Sequence, residues 1–253
     1  MQTSPMSPDL FAGPNDHVAV VVAHPDDETF GCGSLIALAS RAGARVTIVC
    51  ATRGELGEVT DRVELSGRSL GKVREGELRA AAEVLGASHV EVLDFVDSGF
   101  DGPLPPGALC AAEPAVLRAA LRALLTRDRP TMVLSIDGSD GHRDHACIRD
   151  AIVDVLDEMS PRPRLYLATL SNQAMRRWLD EKLQSAESSA YHALDPDSLG
   201  RPDSEISCTL DSRAVLHVRL AAIELHRSQR SPFEGLSVEL RDLFLCIEHL
   251  VEA

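Results

Sequence analysis

The sequence predicts an α/β fold, in which a single domain is built on a mostly parallel sheet with helices on both of its faces. Short, nearly all-apolar runs rich in β-branched residues recur along the chain, and segments with helical periodicity separate them. Strands that alternate with helices at this spacing are joined by right-handed crossovers and lie parallel. A length of 253 residues is enough for one such domain with a substantial core.

Five runs have the composition of strands that are buried on both faces, namely residues 17–23, 45–51, 89–95, 131–136 and 164–170. Helical spacing of apolar residues, with several segments ending at Gly or near Pro, predicts helices over residues 33–43, 73–86, 113–127 and 145–159. Two connections, 53–72 and 96–112, are long enough to be functional or mobile loops. Residues 1–16 are expected to be a disordered or loosely docked segment, which leaves the domain to residues 17–253.

Composition excludes several classes of partner. The formal net charge of −14 repels phosphate backbones and anionic lipids, so neither nucleic acid nor a membrane is expected to bind. No apolar run approaches the roughly 20 residues that span a bilayer, and the N-terminal residues do not resemble a signal peptide.

Six scattered cysteines without a C-x-x-C pair suggest reduced thiols in a cytoplasmic protein. Residues 186–205 have the composition of a surface loop, which could cap a site or mediate assembly into a homo-oligomer.

Histidines and carboxylates cluster at the ends of two predicted strands. "VVAHPDDETF" (21–30) follows the first strand, and "IDGSDGHRDH" (136–145) follows the fourth. Ligands of open α/β sheets bind beyond the carboxyl ends of the strands, so both clusters are expected at one edge. A lone His–Asp pair is more often an Asx-capped turn, but two such clusters on one sheet favour a metal site. His24, Asp27 and His145 would supply two imidazoles and a carboxylate, the ligand set of a catalytic zinc.

Five segments carry a resemblance to a known family. In chain order they are "AHPDDETFGCGS", "TRGELGE", "REGELRAAAEVLG", "DGSDGHRDH" and "HRSQ", which together extend from about residue 17 to 230. This pattern resembles the PIG-L/LmbE family of N-acetylglucosaminyl de-N-acetylases. The resemblance implies a Rossmann-like sheet and a zinc-dependent hydrolase that removes an acetyl group from an N-acetylglucosamine-containing or related amino-sugar substrate.

The resemblance also implies roles for individual residues. It implies the same three zinc ligands and makes Asp26 the general base that takes a proton from water. His142 would stabilise the oxyanion or protonate the departing amine, and Asp144 would orient that imidazole and hold it charged.

Three arginines are candidates for substrate contacts. Arg74 and Arg53 could bind sugar or phosphate groups, although a solvated helix face would explain them as well. The family commonly has proline where Arg143 stands, and a guanidinium at that position suggests a substrate with an anionic group. Ser34 replaces a second glycine that usually opens the first helix.

Three rival interpretations remain. "GCGSLI" superficially resembles a dinucleotide-binding glycine motif, but Ile36 replaces the last glycine, and three carboxylates would face the pyrophosphate. A zinc amidase that acts on a different amide, such as a thiol conjugate, would have nearly the same sequence. A non-catalytic binding protein on the same fold is disfavoured because every expected ligand and acid–base residue is present.

Overall fold

The structure, a computed structural model, describes residues 10–11, 13–184 and 194–253. Within them the strands, β1 to β7 in chain order, are His17–Val22, Arg45–Cys50, His89–Val92, Met132–Ile136, Arg164–Thr169, Cys208–Asp211 and Ile247–Glu252. They form one seven-stranded sheet in the order β3-β2-β1-β4-β5-β7-β6. Strands β1 to β5 pair in parallel, whereas β7 pairs antiparallel with both β5 and β6. The predicted mostly parallel α/β sheet is confirmed.

Helices cover both faces of this sheet. In chain order, α1 to α8 of the described residues are Asp27–Phe30, Gly33–Arg41, Leu70–Leu85, Pro114–Asp128, Arg143–Asp157, Asn172–Gln184, Leu216–Ile223 and Val238–Cys246. One apolar cluster joins α2 and α3 to Val18, Val20 and Val22 of β1. A second joins α4 and α5 to Ala19 and Val21 of the same strand. Alternate side chains of β1 pack in two different cores, which explains why residues 18–22 are all apolar.

The order of the strands places the two histidine clusters side by side. Strand β1 lies between β2 and β4 and is parallel to both. The chain leaves β1 towards α1 and α2 on one face, and leaves β4 towards α5 on the other. Such a reversal opens a crevice at the carboxyl ends of the two central strands. Residues 24–28 and 137–145 therefore meet at this edge.

The C-terminal third adds two strands that the sequence did not predict. Strand β6 has only four residues, and β7 alternates buried with half-buried positions, so neither looks like a strand buried on both faces. Arg219 connects this region to the two helices that follow β1. Its guanidinium is fully buried, donates to Glu248 at 2.7 Å and to the Ser34 hydroxyl at 3.1 Å, and also reaches the Phe30 carbonyl. Ser34, the departure from the family pattern, is thus an acceptor for a buried arginine.

Parts of the predicted terminal and loop segments can also be placed. Leu10 and Phe11, inside the segment expected to be loosely docked, are buried in the core. Residues 1–9, 12 and 185–193 lie outside the described residues, so the expected surface loop at 186–205 can be placed only in part. The domain boundary at residue 17 and the homo-oligomer remain predictions. Among the described helices, none combines the length and apolar character needed to cross a membrane.

Candidate metal and catalytic site

His24, Asp27 and His145, the three expected ligands, meet at the carboxyl edge of β1 and β4. The Nδ1 atom of His24 lies 3.3 Å from Nε2 of His145. The Asp27 carboxylate reaches both rings, with Oδ1 3.2 Å from His145 Nε2 and Oδ2 3.5 Å from His24 Nδ1. All three residues are buried.

These separations fit a single small metal ion. Ligand atoms that lie about 2.0–2.1 Å from a tetrahedral zinc ion are roughly 3.3 Å from each other. The three distances between the two nitrogens and the carboxylate, 3.2 to 3.5 Å, are close to that spacing. Two further sets of donors, whose ligand atoms lie within 4.8 Å of one another, are also near enough to hold a metal: His24 with His142 and His145, and His24 with Asp97 and Asp144. The site could therefore hold a metal.

Each of the two ligand imidazoles has a carboxylate at its other nitrogen. Nε2 of His24 lies 3.1 Å from Oδ2 of Asp144 and 3.4 Å from Oδ1 of Asp97. Nδ1 of His145 lies 2.6 Å from Oδ2 of Asp140. Carboxylates in this position fix the tautomer and orientation of a metal-binding histidine and raise its basicity.

The electrostatics of this edge favour a cation. Burial alone would lower the pKa of His145, but the charges of Asp140 and Asp27 outweigh it and raise that pKa to about 10. Burial likewise opposes protonation of His24, yet its hydrogen bonds to Asp144, Asp27 and Asp97 raise its pKa well above the usual value. Without a metal, the protons on His24 and His145 compensate the negative charge of the buried carboxylates. A divalent ion would replace those protons, since only neutral imidazoles act as ligands.

Asp144 does not contact the His142 ring through its carboxylate, which corrects the expected pairing. Its side chain faces His24, and only its backbone N–H reaches His142, donating to Nδ1 at 3.2 Å. Burial and the neighbouring charges of His24 and His145 lower the pKa of His142 to about 4. The imidazole is therefore neutral rather than held charged, and a divalent ion that replaced the protons of His24 and His145 would keep positive charge beside it.

Asp26 stands apart from the three ligand atoms and is held by Arg74. Its Oδ2 lies 2.9 Å from a terminal nitrogen of Arg74, and its side chain keeps 17% of its surface exposed. Asp26 has a backbone φ of 124°, a conformation that costs a non-glycine residue on the order of 1–3 kcal/mol. Burial, opposed by Arg74, raises its pKa to about 6. This carboxylate is thus fixed in place and more basic than an ordinary aspartate.

Arg74, a candidate for substrate contacts, binds other groups of the protein instead. It is buried, and besides Asp26 it donates to the carbonyls of Gly54 at 2.9 Å and Pro25 at 2.6 Å. A Cβ at Gly54 or Gly57 would overlap the Arg74 guanidinium, which explains both glycines of "TRGELGE". The arginine therefore supports the loop that carries Asp26.

The "HRSQ" segment supports the same loop from another side. His226 lies 2.8 Å from Oε1 of Glu28, a fully buried carboxylate whose other oxygen accepts from the Asp26 backbone N–H at 2.9 Å. Ser228 donates to Glu77 through its backbone N–H and its hydroxyl. The "TRGELGE", "REGELRAAAEVLG" and "HRSQ" segments thus form the scaffold behind Asp26.

The other two candidate arginines also bind protein groups. Arg53 bonds to Glu75 at 3.1 Å, with further contacts to Asp94 and the Leu93 carbonyl. The Arg143 guanidinium donates to four backbone carbonyls of one loop, those of Ser98, Gly99, Asp101 and Gly102. Its guanidinium is largely occupied by the wall of the site, so the structure gives it no evident role in holding an anionic substrate group.

Asp97 and Asp140 are the site residues that the sequence analysis missed. Asp140 lies inside the quoted "DGSDGHRDH" motif, five residues before His145, so its proximity could have been anticipated. Asp97 is in the long 96–112 connection, where nothing but loop length signalled a function. The loop reaches the site because Ser98 N–H donates to Asp144 at 2.9 Å and the Phe100 ring packs 5.6 Å from the His142 ring.

We predict that removing single ligands separates the expected ligand set from the set of three histidines. His145→Ala and Asp27→Asn should both lose bound zinc, since each removes one of three close ligand atoms, while His142→Ala should retain about one ion per chain. Metal analysis after reconstitution with Zn²⁺ gives the measurement, and the exposed His89→Ala serves as the matched control. Circular dichroism checks that each variant is folded. Loss of zinc from His142→Ala, with full retention in Asp27→Asn, would assign the site to the three histidines instead.

Comparison with known proteins places this geometry in a family. The family model described as PIG-L, GlcNAc-PI de-N-acetylase, matches residues 19–156. A 1D-myo-inositol 2-acetamido-2-deoxy-alpha-D-glucopyranoside deacetylase 2 of Saccharopolyspora erythraea is 30% identical, over 92% of this chain and 91% of the relative.

Solved structures share the fold at lower identity. The N,N'-diacetylchitobiose deacetylase of Pyrococcus horikoshii has a TM-score of 0.63 and 22% identity, over 94% of this chain and 84% of that protein. GalB, the 4-carboxy-2-hydroxymuconate hydratase of Pseudomonas putida, has a TM-score of 0.58 and 22% identity, over 94% and 96% of the two chains. The fold thus carries more than one chemistry. The family match is specific, however, and covers both histidine clusters: the chain belongs to the PIG-L family of de-N-acetylases, as its motifs predicted.

Proposed function

We propose that the protein is a zinc-dependent hydrolase that removes the acetyl group from an N-acetylglucosamine unit of a small glycoside. The observation that carries the proposal is the convergence of His24, Asp27 and His145 at 3.2 to 3.5 Å beside a separate, more basic Asp26. The activities for which the Saccharopolyspora erythraea relative and the chitobiose deacetylase are named, both on acetylated amino sugars, support this substrate class.

His24, Asp27 and His145 would hold the zinc ion in this mechanism. When bound, zinc lowers the pKa of a coordinated water and polarises a carbonyl oxygen. Asp26 would accept the proton of the attacking water, because its carboxylate is not used by the ligand cluster and its pKa of about 6 suits a base near neutral pH. Arg74 holds that carboxylate in place without neutralising it by proton transfer.

His142 would act as a hydrogen-bond donor to the oxyanion. Its Nδ1 accepts the Asp144 backbone N–H at 3.2 Å, so a neutral ring carries its proton on Nε2. The ring centroid lies 4.5 Å from that of His24 and 4.8 Å from that of His145, next to the metal ligands. A fixed donor beside the reacting carbonyl stabilises the charge that develops there. The lowered pKa of His142 favours this role over that of a charged acid in the free protein.

Acetate release from a panel of acetylated compounds tests the function. With zinc bound, we expect turnover of N-acetylglucosaminyl-inositol or N,N'-diacetylchitobiose, and none of an N-acetylated thiol conjugate. Asp26→Asn should keep its zinc and lose roughly 10² to 10⁴ in kcat, the usual contribution of a general base.

Metal content measured on the same Asp26→Asn sample separates loss of the base from loss of the ion. Near-normal turnover of Asp26→Asn at saturating zinc would contradict the role of Asp26. Acetate release from the thiol conjugate alone would show instead that the protein is an amidase for a different substrate.

Arg143→Pro tests whether this arginine binds an anionic substrate group or only supports the loop. Because its donors are directed to carbonyls of residues 98–102, we expect the kcat/KM values for a neutral and a phosphorylated N-acetylglucosaminide to change by the same factor. A selective loss of about tenfold or more on the phosphorylated substrate, about 1.4 kcal/mol of transition-state binding, would support an anion contact. Arg53→Ala, at an arginine bound to Glu75, is the matched control.

A further inference from the structure

Two of the six cysteines form a close pair behind the metal ligands. Cys110 lies in a single 3₁₀ turn, Leu109–Ala111, and Cys147 lies in α5, two residues after His145. Their sulfur atoms are 2.7 Å apart, and both side chains are only half-buried. Cys32, Cys50, Cys208 and Cys246 are buried instead. The pair therefore combines proximity with access from solvent.

The backbone around the pair is fixed by packing on both sides. Leu109, next to Cys110, and Ile148, next to Cys147, are buried in the same apolar cluster. The Cys110 N–H also donates to the Ser98 hydroxyl at 3.0 Å. Bonded sulfurs lie about 2.05 Å apart, so a displacement of well under 1 Å would bring the two thiols to bonding distance. Side-chain adjustment could supply that displacement while the turn and α5 stay in place.

One sulfur is connected to the metal site through Asp144. The Cys110 thiol donates to Oδ1 of Asp144 at 3.0 Å, and Oδ2 of the same carboxylate lies 3.1 Å from Nε2 of His24. Asp144 is fully buried. A disulfide sulfur has no hydrogen to donate, so oxidation would leave Oδ1 of a buried carboxylate without this partner. The carboxylate would have to find another donor, and its contact with His24 would change.

We propose that Cys110 and Cys147 are a reversible oxidation site, at which a low-molecular-weight disulfide converts the two thiols into an intramolecular disulfide that weakens metal binding. One cysteine thiol loses its proton and attacks a sulfur of the reagent, which leaves as one thiol and gives a mixed disulfide. The second cysteine attacks the protein sulfur of that mixed disulfide and releases the other half of the reagent as a second thiol. Two protein thiols are oxidised and one reagent disulfide is reduced, so atoms and electrons balance.

The consequence for the metal follows from the position of Asp144. Loss of a carboxylate that orients a ligand histidine typically lowers metal affinity by about 10- to 100-fold. We expect the oxidised protein to bind Zn²⁺ about tenfold more weakly than the reduced protein, at the lower end of that range, because the Asp144–His24 contact is disturbed rather than deleted. The link to metal binding rests on the proposed ligand set, whereas formation of the disulfide does not.

Peptide mapping tests the disulfide directly. The full-length protein is equilibrated with mixtures of glutathione disulfide and glutathione, its remaining thiols are alkylated with iodoacetamide, and the digest is analysed by mass spectrometry. The expected result is one cross-link between the peptides of Cys110 and Cys147, with the four buried cysteines never bridged, and its disappearance when glutathione is in excess. Stable mixed disulfides with glutathione, or full alkylation of both cysteines at every ratio, would overturn the proposal.

Zinc affinity, measured by competition with a chromophoric chelator, tests the coupling. Cys110→Ser is the key variant, because its hydroxyl can still donate to Asp144 whereas no disulfide with Cys147 can form. Oxidant should weaken Zn²⁺ binding in the parent, and excess glutathione should restore it, whereas the affinity of Cys110→Ser should be the same before and after oxidant. Equal affinity of the oxidised and reduced parent would overturn the coupling. Neither readout is catalysis, so an inactive protein in the acetate assay would count against the proposed function and not against this site.

Discussion

The structure of this edge of the sheet depends on one constraint, which is that two buried imidazoles and one carboxylate lie within 3.5 Å of each other. Nitrogen and oxygen lone pairs directed at one point repel each other unless a cation or protons lie between them. The neighbouring carboxylates, Asp97, Asp140 and Asp144, make the demand for positive charge stronger. They also fix the ring orientations. The site is thus ordered before a metal arrives, and its negative charge provides the driving force for binding one.

The residues that pack behind the site keep Asp26 separate from this cluster. Asp26 must be close to the metal ligands without becoming one, and it adopts an unfavourable backbone angle to do so. Buried ion pairs hold the loop in that conformation: Arg74 with Asp26, and His226 with Glu28. Removing one partner of such a pair is strongly destabilising, because the other charge stays buried. The separation of ligand and base therefore depends on residues from α3 and from the C-terminal third of the chain.

Sequence reasoning could predict the five parallel strands, and the meeting of His24, Asp27 and His145 at one edge of the sheet, because both follow from hydrophobic patterning and from the rules of α/β topology. All-apolar strands follow from burial on both faces, and the carboxyl ends of β1 and β4 follow from the α/β topology. Partners that depend on side-chain direction could not be inferred in this way. The family resemblance pairs Asp144 with His142, yet the Asp144 carboxylate faces His24, because α5 begins at Arg143 and turns the side chains of 142 and 144 apart. Asp97 and the antiparallel β6–β7 pair gave no periodic signal at all.

X-ray absorption spectroscopy of the zinc-loaded protein identifies the atoms that bind the ion. With His24, Asp27 and His145 as ligands, we expect a shell of nitrogen and oxygen atoms at about 2.0–2.1 Å, with the outer-shell scattering of two imidazoles and no sulfur. A sulfur component at about 2.3 Å would place the ion at Cys110 and Cys147 instead. The scattering of three imidazoles would replace Asp27 with His142 and contradict the proposed division between metal ligands and catalytic groups.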